Sequence, residues 1–264
     1  MDHNELVDKI TNEIMSRLKN NLDLKNSITG NVNSETPNLG ITTQQMARYI
    51  DHTLLKPDAI DKQFDQLCDE AKKYNFYSVC VNSGWVSYVA KKVRGSDVKV
   101  CSVIGFPLGE SDSRSKAFET RNAIDNGANE IDMVISVSAL KSGNLKYVEE
   151  DIRAVKRACR STTVLKVILE TSLLDENEKI IACEISKKVG VDFVKTSTGF
   201  GGGGATVGDI ELMRRVVGPE MGVKASGGIR DFKTAAAMIK AGATRIGAGA
   251  GVAIVTGGKS EGGY

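Results

Sequence analysis

The chain has 264 residues, of which 41% are hydrophobic and 26% charged, and its formal net charge at pH 7 is +2. This balance disfavours a nucleic-acid-binding surface, because basic and acidic residues are interleaved along the chain. No segment approaches the run of about 20 apolar residues that a membrane span requires, and no apolar secretory signal follows the N-terminus. We therefore expect a cytoplasmic protein whose five widely spaced cysteines are reduced thiols.

The first 40 residues differ in character from the remainder of the chain. Apolar side chains recur there at every fourth position, at Leu6, Ile10, Ile14 and Leu18. This spacing predicts an amphipathic helix within residues 1–19, and the Asn-, Ser- and Gly-rich residues 20–40 predict a disordered linker. The layout resembles the encapsulation peptides that lead enzymes into bacterial microcompartments. An oligomer-contact helix and an inert extension are the alternatives.

From residue 41 onward, short β-branched runs alternate regularly with helical segments. The predicted strands are Tyr49–Leu54, Tyr77–Val81, Val98–Ile104, Glu130–Val134, Val164–Leu169, Phe193–Thr196, Gly222–Ala225 and Thr244–Gly247. The predicted helices are Ile60–Tyr74, Trp85–Val93, Ser115–Asn126, Leu145–Ala158, Glu176–Val189, Val207–Val217, Phe232–Ala241 and one after Gly249. Eight strand–helix pairs predict a single-domain α/β TIM barrel over residues 41–255, followed by a flexible tail over residues 256–264.

Glycines follow several of these helices and suggest how the helices end. Gly127, Gly190, Gly218 and Gly242 stand just beyond predicted helix ends. Each is expected to provide a left-handed C-cap before the next strand.

Three lysines lie on three successive apolar runs. Lys166, Lys195 and Lys224 belong to predicted strands five, six and seven, and Lys195 directly precedes the turn Thr196-Ser197-Thr198-Gly199. Lys195 and Lys224 would face each other across neighbouring strands about 4.8 Å apart, at the end of the barrel that carries catalytic sites. Burial and a second cation are expected to lower the pKa of the Lys195 amine. This arrangement predicts a lysine nucleophile that forms a Schiff base.

The histidine content argues against a metal-dependent mechanism. The chain has only two histidines, and His3 lies in the N-terminal extension, so His52 alone remains for the barrel. A catalytic zinc site usually needs about three protein ligands. We therefore predict no metal and no cofactor, with the lysines supplying the electrophilic activation.

Eight strings along the chain resemble those of the class I 2-deoxyribose-5-phosphate aldolase family. They are IDHTLLKPDA, VCVNSGWV, VIGFPLGE, EIDMVI, LKVILETSLL, DFVKTSTGF, GVKASGGIRD and TRIGAGAGV, and together they cover about residues 44–255. The resemblance implies that Lys195 forms the imine, that Lys224 tunes it and that Asp132 relays protons through a water. It also implies that Asp51, Cys80 and Lys166 surround the substrate, with Thr196 and Gly199 among the candidate binding residues.

The implied reaction is reversible cleavage of 2-deoxy-D-ribose 5-phosphate to acetaldehyde and D-glyceraldehyde 3-phosphate. Its phosphate is expected at the loops after strands seven and eight, where Gly227, Gly228 and Gly249 precede helix starts. Hydroxyl side chains usual in the family are missing from Gly201–Gly204 and Gly247–Gly251, which predicts that backbone donors alone hold the phosphate.

Other interpretations share parts of this pattern. A related class I aldolase or a transaldolase-like enzyme would use the same imine on another aldehyde or sugar phosphate, and a non-catalytic scaffold would use none of it. In similar aldolases a C-terminal tyrosine folds back over the active site, which implies that role for Tyr264. We also expect a homodimer or higher homo-oligomer, and a shell or cargo protein as a partner of residues 1–19.

Overall fold

The computed structural model describes residues 41–258 as a closed barrel of eight parallel strands. The strands are β1 Ile50–Leu54, β2 Ser78–Asn82, β3 Lys99–Ile104, β4 Glu130–Val134, β5 Val164–Ile168, β6 Phe193–Lys195, β7 Gly222–Ser226 and β8 Arg245–Ala248. They pair in chain order, and the register partners Ile50 and Ile246 join β1 to β8. The predicted TIM-barrel fold is confirmed.

Ten α-helices connect and surround the strands within the described residues. They are α1 Thr43–Ala47, α2 Asp61–Tyr74, α3 Val86–Lys92, α4 Ser113–Asp125, α5 Val137–Lys141, α6 Leu145–Ala158, α7 Glu176–Val189, α8 Val207–Val217, α9 Phe232–Lys240 and α10 Gly251–Thr256. Short 3-10 turns occupy Ser83–Trp85 and Thr171–Leu173. The prediction missed these turns and helices α1 and α5, because segments of three to five residues are too short to show a helical period.

The predicted glycine caps are confirmed only in part. Gly190 ends α7 in the left-handed conformation, with φ 78° and ψ 42°. The prediction is wrong for Gly218, whose ψ of −174° lies outside that region. Helices α4 and α9 have Asn126 and Ala241 as their C-caps, both in the right-handed helical backbone conformation. The positive-φ glycines Gly127 and Gly242 therefore follow one position later.

The two faces of the strands carry different chemistry. On β4, Ile131 and Met133 belong to the apolar core between barrel and helices, whereas Glu130 and Asp132 form ion pairs with residues of other strands. Alternation along a strand sends successive side chains to opposite faces. The strands therefore direct apolar side chains outward, toward the helices, and charged side chains into the interior of the barrel.

Three predicted segments fall wholly or partly outside the described residues. They are the helix within residues 1–19, the linker 20–40 and the part of the tail that holds Tyr264. Their boundaries stay predictions. Among residues 41–258, no helix is long and apolar enough to cross a membrane.

Candidate active site

The three predicted catalytic residues meet inside the barrel. Lys195 is the last residue of β6, Lys224 lies in the middle of β7, and Asp132 lies in the middle of β4. Both ammonium groups donate to Oδ2 of Asp132, each at 2.8 Å. The other carboxylate oxygen of Asp132, Oδ1, accepts from Lys166 at 2.9 Å. One carboxylate therefore contacts all three lysines that the sequence singled out.

Six buried side chains, including Asp132, form a closed ring of ion pairs inside the barrel. In order the pairs are Arg245–Asp51 at 2.9 Å, Asp51–Lys224 at 2.5 Å, Lys224–Asp132 at 2.8 Å, Asp132–Lys166 at 2.9 Å, Lys166–Glu130 at 2.5 Å and Glu130–Arg245 at 3.0 Å. Three cations and three anions give this ring a formal charge of zero. Lys195, joined to it through Asp132 and only 3% exposed, is the additional cation. Lys195 thus shares its carboxylate partner with two cations of the ring, Lys224 and Lys166.

The ring controls the pKa values of Lys224 and Asp132 through charges that the sequence prediction did not include. Burial lowers the pKa of Lys224, but the adjacent Asp132 and Asp51 carboxylates outweigh burial and hold that pKa well above its ordinary value. Burial likewise opposes ionisation of Asp132, yet Lys166, Lys195 and Lys224 hold its pKa well below the ordinary range. Lys224 is therefore a permanent ammonium and Asp132 a permanent carboxylate near neutral pH.

Asp51 and Lys166, predicted near the substrate, are fully buried members of the ring. Asp51 also accepts a hydrogen bond from the Ser78 hydroxyl at 2.7 Å. Asp51 positions Lys224, and Lys166 positions Asp132. Direct contact of either with substrate stays a prediction.

Cys80 lies beside a second thiol that the sequence argument missed. Cys80 and Cys101 are register partners on β2 and β3, and both are fully buried. The Cys101 thiol donates to Oδ1 of Asp132 at 3.1 Å. The alternation of side chains along β3 could have indicated that Cys101 faces the barrel interior. Only the strand register shows that Cys101 lies next to Cys80 and reaches Asp132.

The turn after Lys195 is held by a buried carboxylate. Glu170, 3% exposed, accepts hydrogen bonds from the backbone N–H of Thr198 at 3.2 Å and from the Thr198 hydroxyl. Its backbone is left-handed, with φ 57° and ψ 61°. A Cβ added at Gly201 would lie 2.7 Å from Cδ of Glu170, so the glycine permits this close approach. Glu170 was not among the predicted site residues.

Thr196, a candidate binding residue, uses its hydroxyl within the barrel wall. Its Oγ1 donates to the Ser226 carbonyl and accepts from the Ser226 N–H, each at 3.0 Å. The side chain therefore ties the end of β6 to β7, and a contact with substrate stays a prediction.

A glycine-lined cavity of about 390 Å³ lies among the loops after β6, β7 and β8. Its lining includes the predicted Gly199, Gly228 and Gly249, and also Arg230. Gly227 instead packs on the neighbouring loop, where its carbonyl accepts from the Ala205 N–H at 3.0 Å. That backbone donors alone hold the phosphate stays a prediction, and Arg230 is a lining residue that the prediction did not include.

Similarity to known proteins extends over the whole barrel. A profile of the DeoC/LacD family of aldolases matches residues 45–257. The chain is 62% identical over 217 residues to a deoxyribose-phosphate aldolase of Brevibacillus brevis, covering 82% of this chain and 98% of that protein. It is 60% identical over 220 residues to the deoxyribose-phosphate aldolase of Streptococcus gordonii, covering 83% of this chain and 100% of the relative. The tetrameric deoxyribose phosphate aldolase structure from Aeropyrum pernix matches with a TM-score of 0.75 at 34% identity, covering 81% of this chain and 91% of that one.

Proposed function

The chain belongs to the DeoC/LacD family of aldolases, and from this premise we propose how its barrel performs class I aldol chemistry. The enzyme is a deoxyribose-phosphate aldolase that reversibly cleaves 2-deoxy-D-ribose 5-phosphate to acetaldehyde and D-glyceraldehyde 3-phosphate. The observation that carries the mechanism is the single carboxylate oxygen of Asp132 shared by Lys195 and Lys224. In this proposal Lys195 is the nucleophile.

The neutral Lys195 amine attacks the aldehyde carbon of the open-chain sugar, and the resulting carbinolamine takes up one proton and loses water to give a protonated imine; imine hydrolysis returns that proton. The imine then accepts the electron pair of the bond between C2 and C3 as the C3 hydroxyl loses its proton. Glyceraldehyde 3-phosphate leaves, and an enamine remains on Lys195. Protonation of the enamine at C2 and hydrolysis by one water release acetaldehyde and restore the amine.

Asp132 and Lys224 have complementary roles in these steps. The Asp132 carboxylate is within hydrogen-bond distance of the Lys195 Nζ, where it can move protons during carbinolamine formation and dehydration, directly or through a water. Lys224 stays charged because Asp132 and Asp51 neutralise it. It provides a fixed positive charge next to the nucleophile, on the same carboxylate oxygen.

The phosphate of the substrate binds in the glycine-lined cavity. Gly228 and Gly249 line it with backbone close to the ligand, and Arg230 adds a charge-assisted donor. The loops after strands seven and eight are the usual phosphate site of TIM barrels.

The C-terminal Tyr264 assists protonation of the enamine in this proposal. Helix α10 ends at Thr256, which leaves eight residues to reach the catalytic end of the barrel. Eight extended residues span up to about 27 Å, several times the ~9 Å length of the six-residue α10. Deleting Tyr264 should slow solvent-deuterium exchange into acetaldehyde without lowering thermal stability.

Residues 1–19 deliver this cytoplasmic enzyme to a microcompartment shell or cargo protein in this proposal. The support is the apolar stripe Leu6, Ile10, Ile14 and Leu18 and the Asn-, Ser- and Gly-rich composition of residues 20–40. A fusion of residues 1–40 to a fluorescent protein, co-expressed with shell proteins, should give puncta that Ile10→Asp or Leu18→Asp disperses. Diffuse signal from the unaltered fusion would instead favour the oligomer-contact or inert alternatives. The barrel itself should assemble as a homodimer or larger homo-oligomer, measurable by light scattering.

The catalytic proposal is tested with the full chain. Incubation with 2-deoxyribose 5-phosphate should yield acetaldehyde and glyceraldehyde 3-phosphate in equal amounts, and Lys195→Arg should abolish both because arginine stays protonated. Lys99→Arg, at an exposed position at the start of β3, is the matched control and should keep full activity. A panel of phosphorylated and unphosphorylated aldehydes separates this activity from that of a related aldolase.

A further inference from the structure

Two thiols and a carboxylate converge on one point beside Lys195. One sulfur each from Cys80 and Cys101 and one carboxylate oxygen of Asp132 all lie within 4.8 Å of one another, and all three side chains are fully buried. The convergence follows from the barrel, because Cys80 and Cys101 are register partners and Asp132 belongs to the next strand, β4. The proposed aldol mechanism uses only Asp132 of this trio.

The spacing fits a small tetrahedral metal ion. In a tetrahedral zinc site, two thiolate sulfurs lie about 3.8 Å apart, and a sulfur and a carboxylate oxygen about 3.6 Å apart. Cys101 Sγ and Asp132 Oδ1 are 3.1 Å apart, joined by the thiol proton. Replacing that proton with a metal ion requires the two atoms to separate by only about half an ångström.

The lysine ammonium groups that contact Asp132 do not prevent a metal ion from binding between Cys80, Cys101 and Asp132. Binding of a divalent ion to two thiols releases two protons, so the net charge of the pocket is unchanged. The Lys166 ammonium lies 3.6 Å from Cys101 Sγ, so the site for the ion is on the side of the sulfur away from this ammonium. The metal ion takes the place of the Lys166 hydrogen bond on Oδ1 of Asp132, and Lys166 keeps Glu130 as a partner, so the hydrogen bonds from Lys195 and Lys224 to Oδ2 can remain.

We propose that Cys80, Cys101 and Asp132 form an inhibitory binding site for one thiophilic divalent metal ion, such as Zn²⁺ or Cd²⁺. The three protein ligands leave the fourth tetrahedral position open for water. A metal ion on Oδ1 withdraws the negative charge that Asp132 uses to accept and return protons. The inhibition rests on the proposed function, whereas the binding does not.

Binding is measured with Cd²⁺, whose bonds to thiolates give an ultraviolet charge-transfer absorption. Titration of the full-length, reduced chain should give this absorption with one equivalent of Cd²⁺ per chain. Cys101→Ser keeps a hydroxyl donor for Asp132 but removes a soft ligand, and should weaken Cd²⁺ binding at least about tenfold, since even outer-shell changes at metal sites cost that much. Cys80→Ala should do the same. Cys159→Ala, at the half-buried cysteine that follows α6, is the matched control and should leave the titration unchanged.

Activity provides the second readout. One equivalent of Zn²⁺ should inhibit aldol cleavage by the unaltered chain, and EDTA should restore it. A Cd²⁺–thiolate absorption that survives in both Cys101→Ser and Cys80→Ala, or that is lost in Cys159→Ala, would assign binding to other thiols and overturn the proposal. Absence of the absorption in the unaltered chain would overturn it as well. Binding at this site without inhibition would retain the site and reject its inhibitory role, and absent aldolase activity would count only against the proposed function.

Discussion

Lys195 and Lys224 are register partners on adjacent strands, and their Nζ atoms share one acceptor, Oδ2 of Asp132, at 2.8 Å each. The two lysines nevertheless have different surroundings. Lys224 also pairs with Asp51, at 2.5 Å, whereas Asp132 is the only carboxylate among the described residues that forms an ion pair with Lys195. The same strand position on two neighbours therefore gives one fixed cation and one candidate nucleophile.

Borohydride reduction in the presence of acetaldehyde should attach a two-carbon group to Lys195 and to no other lysine. The reason is that the Asp132 and Asp51 carboxylates keep Lys224 protonated against the effect of its burial. Peptide mapping by mass spectrometry locates the adduct. Lys224→Arg, which retains the positive charge, should still label at Lys195, and an adduct on Lys166 or Lys224 of the unaltered chain would contradict the assignment.

Acid should weaken the barrel through the buried carboxylates. Burial raises the pKa of Asp51, but the charges of Arg245 and Lys224 outweigh burial and depress the pKa below that of an unfolded chain, about 3.9. Between the two pKa values the unfolded state binds more protons, so the free energy of unfolding falls as pH decreases below about 5.

Asp51→Asn tests this contribution. It leaves Lys224 and Arg245 without one partner, which should cost about 3–5 kcal/mol at pH 7, and it should flatten the acid dependence. Urea unfolding at a series of pH values measures both effects. Asp125→Asn, at an exposed residue paired with Arg160, should change neither by more than about 0.5 kcal/mol. Equal pH slopes in Asp51→Asn and the unaltered chain would reject the proposed linkage.

Removing the Glu170 carboxylate should impair catalysis indirectly, through the turn that follows Lys195. The N–H groups of Leu169 and Thr171 on either side of it bond the carbonyls of Lys195 and Thr196, at 2.9 and 3.0 Å. Glu170→Ala leaves Thr198 without its acceptor and loosens the turn after Lys195. Since a displacement of about 1 Å can cost about 100-fold, we expect kcat to fall about 10- to 100-fold.

Glu170→Gln separates the positioning role from a simple loss of stability. Its amide oxygen still accepts from Thr198, so kcat should recover to within a few-fold of the unaltered enzyme. Glu176→Ala, at an exposed residue of the first turn of α7, is the control and should have full activity. Equal losses of activity in the Gln and Ala variants would show that the negative charge, not the acceptor geometry, is required.

Arg230→Ala should weaken binding of phosphorylated substrate selectively. A hydrogen bond to a charged group contributes about 1.5–3 kcal/mol, so KM for 2-deoxyribose 5-phosphate should rise about 10- to 100-fold. Cleavage of unphosphorylated 2-deoxyribose should be unchanged. Arg215→Ala, at an exposed position of α8, controls for loss of surface charge. A proportional loss with both sugars would place Arg230 outside the phosphate site.

Dialysis against EDTA should leave aldol cleavage intact or raise it slightly. The imine supplies the electron sink that a metal would otherwise provide, so no divalent ion is needed. Steady-state rates before and after dialysis, with and without added Mg²⁺ or Zn²⁺, measure the effect. Activity that falls on dialysis and returns with a divalent ion would reject the metal-free mechanism.

The sequence by itself determined the order of the elements and the position of the candidate nucleophile, Lys195. Helix α6 and strand β4 have their predicted bounds because a fourteen-residue amphipathic pattern and a five-residue alternation of charged and apolar residues are local properties of the chain. Lys195 could be singled out for a similar reason, since it ends a short apolar strand just before a polar turn. In a barrel of parallel strands, that position lies at the catalytic end.

Only the tertiary structure decided which charges meet. Glu130 and Arg245 are 115 residues apart, and they contact because barrel closure brings strands β4 and β8 around one interior. Their contacts complete the neutral ring that makes Lys195 the additional cation. Strand register likewise decides the protonation of Lys224 and the pairing of Cys80 with Cys101. Loop packing decides that Arg230 is among the residues that line the glycine-lined cavity. Local periodicity records which face a side chain occupies, but not which partner from another strand lies opposite it.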